Sequence, residues 1–522
     1  MPHSLFLALA LLAAPSVLGP TGVRTPNPSV QERAPDRSVE SVAVAASNAF
    51  GVDLFRTMAT ASPGGNLFVS PLSIAMALAM TAEGSKDQTA QEMATVLHVP
   101  NESAKSPSFS SLHQGFAALS NALGKAGGMA DAATEARIAE LRAALESANT
   151  KTKSLEREGS KWDEVAASQR EAQRLADELN AILFRVNRFD LRVANALWVE
   201  RSYPLSGEFA ATIDRFYGSG ATNELDIAGD VEGSRARING WVEAKTEGRI
   251  QELIPRGALT PVMRLVITNA IYFKGEWSTP FAESNTRLEP FTRSDGTTID
   301  VHMMNDATRV DAQYAAFSGN GEYFDTPMQV PLRDDNPPAT YPDDGGFQVL
   351  QIPYKGGDLA MVVVLPRRAD GLDALVANLS PQSLESWLAR LGGRTVNVGL
   401  PRFTVEKEIE LSDSLKSLGM TRAFARPDLP NGAQFPGMNP SSNPAQQLYV
   451  GAALHKAWIA VSERGTEAAA ATAVLMAPGR AVQQPPTMVP FTPIVRADHP
   501  FLFLIRETRT GAILFMGRMS AP

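Results

Sequence analysis

Apolar residues recur at helical spacing from Ser41 to Ala59, through Val42, Val44, Ala45, Ala49, Val52, Leu54 and Phe55, which predicts a first helix. A second is predicted to open at Ser70-Pro71 and run through Ile74, Ala77, Leu78 and Met80, with serine as N-cap and proline at the first helical position. Further on, Val266–Phe273, Val349–Pro353, Leu359–Leu365 and Thr395–Gly399 are short apolar or β-branched runs bounded by Gly or Pro, and read as buried strands. Helices and strands mix without the regular alternation of a doubly wound sheet, so the fold class is α+β.

Three kinds of segment depart from this background. Between Thr134 and Leu183, Ile138, Leu141, Leu145, Ala148 and Leu155, then Ala172, Leu175, Leu179 and Ile182, repeat at three and four residues among Glu, Arg and Lys, with Gly159 between the two halves. That predicts an inserted antiparallel helical hairpin over about residues 125–180, either a solvated extension or a partner-binding arm. Ser318–Gly346 and Arg426–Gln447, rich in Pro, Asp and Gly, read as surface loops. Leu5–Val17 has the length of a signal-peptide apolar region and is too short to span a bilayer, with Val17-Leu18-Gly19 an approximate cleavage site. The expectation is a signal peptide over 1–19, a flexible segment over 20–40, and a secreted or extracytoplasmic product, periplasmic in a bacterium.

At 522 residues the ratio of about 150 per domain suggests three or four domains. With 44% apolar and 20% charged residues the chain is of ordinary globular composition. A formal charge of −8 gives no general attraction to nucleic acid, and no segment after the signal approaches 18 uninterrupted apolar residues. Zero cysteines remove disulfides, thiol nucleophiles, thiolate metal sites and a lipid anchor. Six scattered histidines offer no ligand spacing, and GxSxG, P-loop and GxGxxG signatures are absent, so no metal, cofactor or enzyme activity is expected.

The chemistry concentrates near the C-terminus, where Glu463-Arg464-Gly465-Thr466-Glu467-Ala468-Ala469-Ala470-Ala471-Thr472 is a monotonous run of small residues. Alanine favours a helix, but a segment that has to slide between two paired strands also needs small side chains, and alternation would then put Thr466, Ala468, Ala470 and Thr472 on one face. Asn66-Leu67-Phe68-Val69-Ser70-Pro71-Leu72-Ser73-Ile74, Asn269-Ala270-Ile271-Tyr272-Phe273-Lys274-Gly275-Glu276-Trp277, Leu400-Pro401-Arg402-Phe403, Leu454-His455-Lys456-Ala457 and Asp498-His499-Pro500-Phe501-Leu502-Phe503 surround it in order. Together these resemble the serpins, a family of serine protease inhibitors, over nearly all of the chain from about Val44 to Met519.

The resemblance implies one domain over 41–522 in place of several: three β-sheets, about eight or nine helices and an exposed reactive loop over 463–495, plus the inserted hairpin. It implies that Ser73, Asn269 and His455 form the polar cluster where the main sheet parts, that Trp277 sits where insertion begins, and that Glu463, Gly465, Thr466, Ala468, Ala469, Ala470 and Ala471 are the loop hinge. The small hinge residues match the inhibitory type. The scissile bond in the family lies about sixteen residues past the hinge glutamate, which is Gly479-Arg480, or Arg480-Ala481 for a loop longer by one. Arg480 is favoured as the specificity residue because it is the sole basic residue between Arg464 and Arg496. Past it, Val482–Val495 is longer than the usual serpin loop and holds four prolines.

The expected protein is thus an exported, monomeric inhibitor that traps trypsin-like serine proteases as acyl-enzymes. The rivals are a non-inhibitory serpin acting as carrier, chaperone or protease substrate, and an interaction protein working through its arm. A glycosaminoglycan cofactor is not expected: Arg185, Arg188 and Arg192 come nearest to a basic patch, and the arm interleaves its charges.

Overall fold

The computed structural model describes residues 39–100, 107–127, 132–158, 162–183, 189–326, 329–331, 345–466 and 488–522. The expected signal peptide, the flexible segment up to residue 38, Ala468–Ala471, Gly479, Arg480 and Ala481 lie outside the described residues.

The N-terminal part comprises α1 (Val39–Ala61), β1 (Leu67–Val69), α2 (Pro71–Glu83), α3 (Asp87–Val96) and α4 (Ser110–Gly127). A helical pair, α5 (Ala132–Arg157) and α6 (Trp162–Leu183), precedes β2 (Phe189–Glu200), α7 (Gly207–Tyr217), β3 (Thr222–Leu225), α8 (Val231–Lys245) and β4 (Leu265–Glu276). Then come β5 (Arg287–Thr292), β6 (Thr298–Arg309), β7 (Gln313–Phe317), β8 (Tyr323–Phe324), β9 (Gln329–Pro331), β10 (Phe347–Pro353) and β11 (Leu359–Pro366). Next are α9 (Leu372–Ala377), α10 (Pro381–Ala389), β12 (Gly392–Gly393), β13 (Val396–Pro401), β14 (Phe403–Glu410), α11 (Ser412–Ser417) and β15 (Val450–Ser462). β16 (Gly465–Thr466), β17 (Met488–Pro490), β18 (Ile494–Arg496), β19 (Phe501–Glu507) and β20 (Ile513–Met519) complete the chain.

Three sheets result, with the order β14-β15-β16-β4-β2-β3 in the main one, β18-β13-β6-β5 in a second and β1-β20-β19-β11-β10-β7-β12 in a third, where β8 adds to β7. β9 and β17 form a separate two-stranded ribbon. The α+β class and the three sheets agree with expectation, and of the eleven α-helices among the described residues two belong to the arm, leaving nine for the body.

Strand alternation explains how the main sheet sits between two cores. Along β4, Leu265, Ile267, Ile271 and Phe273 enter the large core shared with α1, α2 and the third sheet. Val266, Ala270 and Tyr272 enter a smaller one under α8, with Ile238 and Val242. α2 is buried from Pro71 to Ala82 and is apolar on every side, as a helix inside a core must be. Its start is fixed as read: Ser70 Oγ accepts the Ser73 amide at 3.3 Å and donates to the Leu514 carbonyl at 2.6 Å.

Arg426–Gln447 differs from its reading as a surface loop. Phe435 and Met438 are fully buried, the Gly437 amide bonds the Gly84 carbonyl at 3.0 Å, and the Ser206 amide bonds Met438 O at 2.6 Å. Irregular spacing of these apolar residues gives no period to read. The described parts of Ser318–Gly346 likewise hold two short strands, β8 and β9.

The arm has a core of its own: Ile138, Leu141, Leu175 and Leu179 are buried against one another, flanked by the ion pairs Arg137–Glu178 and Arg174–Glu178. It leaves the body between Gly127 and Phe189, which are themselves in contact, since a Cβ on Gly127 would lie 3.0 Å from Phe189 O. Among the described residues no helix is long and apolar enough to cross a membrane. Replacing residues 130–187 with a short glycine-serine linker is expected to leave the thermal unfolding midpoint within about 3 °C of the full chain, measured by near-UV circular dichroism; a fall of 10 °C or more would show that the arm supports the body.

Candidate functional site

The main sheet carries a row of polar side chains on the face that otherwise feeds the large core. Asn195 of β2 pairs in register with Asn269 of β4, which pairs with His455 of β15. Ser73 rises from α2 beneath them. Asn269 Nδ2 donates to Ser73 Oγ at 2.6 Å and to Asn195 Oδ1 at 2.5 Å, and its Oδ1 accepts from His455 Nδ1 at 2.5 Å. Ser73 Oγ donates to Asn195 Oδ1 at 3.1 Å, and Asn195 Nδ2 returns a bond to the Ser73 carbonyl at 3.0 Å. The Ser70 amide donates to His455 Nε2 at 3.3 Å. One ring nitrogen therefore donates and the other accepts, which fixes a neutral imidazole. Burial alone drives its pKa down to about 3.

Above this row the sheet is parted. Over its lower part β15 runs parallel to β4, from Val450 opposite Leu265 to Trp458 opposite Tyr272. At the top β16 stands between them, antiparallel to both: Thr466 faces Val461 on one side and Gly275 on the other, and Gly465 faces Ser462 and Glu276. The close approach requires glycine, because Gly465 has φ +141° and a Cβ there would collide with the Gly275 carbonyl. Thr466 is fully buried and its hydroxyl bonds the Tyr354 hydroxyl at 2.8 Å.

The parted end is braced on each side. Trp277, at the end of β4, stacks on Tyr354 with ring centres 4.6 Å apart, donates from Nε1 to Ser462 O at 2.9 Å, and donates its amide to Arg464 O at 2.9 Å. Glu463, 4% exposed, accepts from Arg402 Nη2 and from Thr286 Oγ1, both at 2.6 Å, while its carbonyl accepts the Phe281 amide at 2.7 Å. Burial raises the Glu463 pKa, but the Arg402 and Thr286 bonds outweigh it and hold the carboxylate below its ordinary range. The turn between β15 and β16 is thereby tied to the second sheet, whose β13 ends at Pro401 and whose β5 begins at Arg287.

The structure brings Ser73, Asn269 and His455 into one hydrogen-bonded group and puts Trp277, Glu463, Gly465 and Thr466 together about the opening. Four partners escaped the sequence: Asn195, Tyr354, Thr286 and Arg402. The first had a faint signal, a lone amide on the core-facing side of an apolar strand; Arg402 stands in the Leu400–Phe403 motif with no role attached to it there, and Tyr354 and Thr286 are defined solely by what they touch. Arg192, part of the weak basic patch, pairs with Asp190 at 2.6 Å and Glu247 at 2.9 Å.

His455 makes the site acid-sensitive. Its folded pKa is depressed below the usual value near 6.5, so the stabilisation it gives is complete above that pH and is lost as pH falls toward 3, by about 1.4 kcal/mol per pH unit. The His455→Gln variant is expected to show a shallower fall in urea midpoint than wild type between pH 7 and pH 5. Parallel profiles for the two proteins would contradict the assignment.

Comparison with known proteins gives the lineage of this arrangement. The family model described as Serpin (serine protease inhibitor) matches residues 45–141 and 137–522. The chain is 33% identical to human serpin B4 over 91% of its own length and 98% of that protein's. It is 34% identical to an uncharacterised serpin-like protein of Thermococcus kodakarensis over 92% of this chain and 86% of that one. Crystal structures of uncleaved ovalbumin and of maspin superpose with TM-scores of 0.63 and 0.64, covering 92% and 93% of this chain and 99% and 100% of theirs, at 22% identity, which speaks to the fold. With its three sheets matched in fold and most of its sequence matched by the family model and by relatives covered nearly end to end, the chain belongs to the serpins, the family of serine protease inhibitors.

Proposed function

We propose that the protein is an exported suicide-substrate inhibitor of serine endopeptidases, with trypsin-like proteases as targets and Arg480-Ala481 as the bond attacked. The observation that carries the reading is the seating of Gly465–Thr466 between β15 and β4, the first step of a strand insertion whose remaining path is set by register. Extending both registers brings each following residue between one partner on β15 and one on β4. Ala468, Ala470 and Thr472 follow Thr466 on the core side, where their small size avoids overpacking. Thr472 arrives opposite both His455 and Asn269, so its hydroxyl replaces the bond those two make directly in the closed sheet. The row thus finds hydrogen-bond partners before and after insertion, which lowers the cost of opening it.

The trade favours insertion once the chain is free to move. One parallel pairing between β15 and β4 is exchanged for two antiparallel ladders, which are slightly more stable per residue. The protease supplies the serine nucleophile, cuts after Arg480 and stays acylated to its carboxyl end. Fourteen residues then follow Thr466, enough to run past Val450 at the far end of β15. At about 3.4 Å per residue these fourteen carry the enzyme roughly 48 Å from Thr466, beyond the far end of the sheet, and its distorted oxyanion hole no longer supports deacylation. Export rests on the Leu5–Val17 apolar run.

Incubation with trypsin is expected to yield an SDS-resistant complex of the summed mass, abolished by Arg480→Ala. Clean cleavage of the wild type with no complex at any ratio would defeat the inhibitor reading and leave a protease substrate. Loop cleavage is also expected to raise the melting temperature, and Thr472→Val to shrink that rise by a few degrees, because His455 and Asn269 then lose a partner in the inserted form. An unchanged rise in the variant, followed by differential scanning calorimetry, would count against the register.

A further inference from the structure

Arg309 ends β6 with its side chain fully buried, a costly place for a charge. Its backbone stands in the second sheet, opposite Val396 of β13. Two carboxylates flank the guanidinium: Asp311 Oδ1 lies 2.9 Å from Nε, and Asp306 Oδ2 lies 3.8 Å from Nη1. Neither contact has the geometry of a hydrogen bond, and among the described residues Nε, Nη1 and Asp311 Oδ1 have no bonding partner. The bonds that do form come from Nη2, which donates to the Thr279 carbonyl at 2.6 Å and to Asp311 Oδ2 at 3.4 Å. Cζ lies 4.8 Å from the centre of the Phe281 ring.

Thr279 and Phe281 belong to the stretch that leaves the end of β4. Trp277 and Phe281 are buried, whereas Ser278, Thr279 and Pro280 between them are exposed and lie in no helix or strand. On its other side this stretch touches the hinge: the Trp277 amide donates to Arg464 O at 2.9 Å and the Phe281 amide to Glu463 O at 2.7 Å. The Phe281 ring is thus set between two groups, the Trp277 ring edge-on at 6.3 Å and the Arg309 guanidinium.

We infer that Arg309 is a positioning residue for the opening of the main sheet: through Thr279 and Phe281 it sets where the exit of β4 stands against the hinge, and with it the seat of Gly465–Thr466. The inference rests on the insertion reading above. The pattern of bonds carries it. An arginine kept for an ion pair presents its fork to a carboxylate in two parallel bonds, whereas here the shortest bond goes to a neutral backbone carbonyl. Exchanging a buried ion pair for an apolar side chain of similar volume is often neutral or stabilising, so the charge is not needed to fill the space. An apolar side chain cannot hold Thr279 O. Without that bond the exposed turn keeps one tie, from the Ser278 amide to Pro353 O at 3.0 Å, and Phe281 loses the group that fixes its ring while its amide holds Glu463. Arg309 itself touches no hinge residue, which is why its role is one of position.

The test reads hydrogen exchange by mass spectrometry in the full-length protein without protease, for wild type, Arg309→Met and Arg309→Lys. Peptides covering 277–285 and 460–466 report the opening, and peptides from β11 and β19 report the body. Arg309→Met is expected to exchange about tenfold faster in both reporting peptides, with the body peptides within about twofold of wild type and a thermal midpoint no lower. Arg309→Lys, which keeps the charge and a donor, is expected to fall between, and it carries the test if Arg309→Met does not fold. Against trypsin, the ratio of cleaved chain to SDS-resistant complex is expected to rise about threefold in Arg309→Met, because a loosened seat delays insertion. Unchanged exchange in both reporting peptides would overturn the inference. So would faster exchange spread equally over the body with a lower midpoint, the mark of a merely structural ion pair. If wild type forms no complex with trypsin the inhibitor reading fails, and the exchange comparison still decides whether Arg309 sets the seat.

Discussion

A strand joins a sheet only where the ladder between two neighbours has been opened, and in this protein everything else is arranged about the point where Gly465–Thr466 keep β15 and β4 apart. The opening is narrow. Gly465 lies so close to the Gly275 carbonyl that no side chain fits, and Thr466 is held by the buried Tyr354 hydroxyl. Two braces stop it from closing or spreading: the Trp277–Tyr354 stack on the β4 side, and the Glu463 carboxylate bonded by Arg402 and Thr286 on the other. Neither brace contributes much as an isolated pair; together they fix the direction in which the chain leaves the sheet.

Below the opening, the Asn195–Asn269–His455 row places polar groups in what would otherwise be continuous core. Such groups are costly unless every one finds a partner, so a partly opened sheet is penalised while the closed arrangement is satisfied. Buried, neutral and bonded at both ring nitrogens, His455 ties β15 to β4 and to the start of α2. On the proposed insertion the sheet has a second arrangement in which the row is again satisfied, with a barrier between the two.

Zero cysteines suit the proposed insertion, since no crosslink spans the strands it would separate. The ties that flank residues 467–487 are non-covalent: Glu463 bonded to Arg402 and Thr286 before them, and the β9–β17 ribbon beside Arg394 after them. The body gains most of its stability from one large core, and the arm, with its separate core, adds length without joining that core.

Much of this was legible in the sequence where the controlling physics is local. Period and capping gave α1, α2 and the strands β4, β10, β11 and β13, and ordered motifs identified the family, with Ser73, Asn269, His455 and Trp277 in it. What escaped depends on pairs far apart in the chain. Asn195 meets Ser73 across 122 residues, Arg402 meets Glu463 across 61, and Arg394 meets Thr326 across 68. Phe435 is buried within a stretch whose composition reads as exposed. By itself the sequence determined where the strongly periodic helices and the apolar strands lie, because propensity and periodicity act over a few residues; the register of β15 on β4, and with it which side chains share the opening, was decided solely by how the folded sheets pack on their two cores.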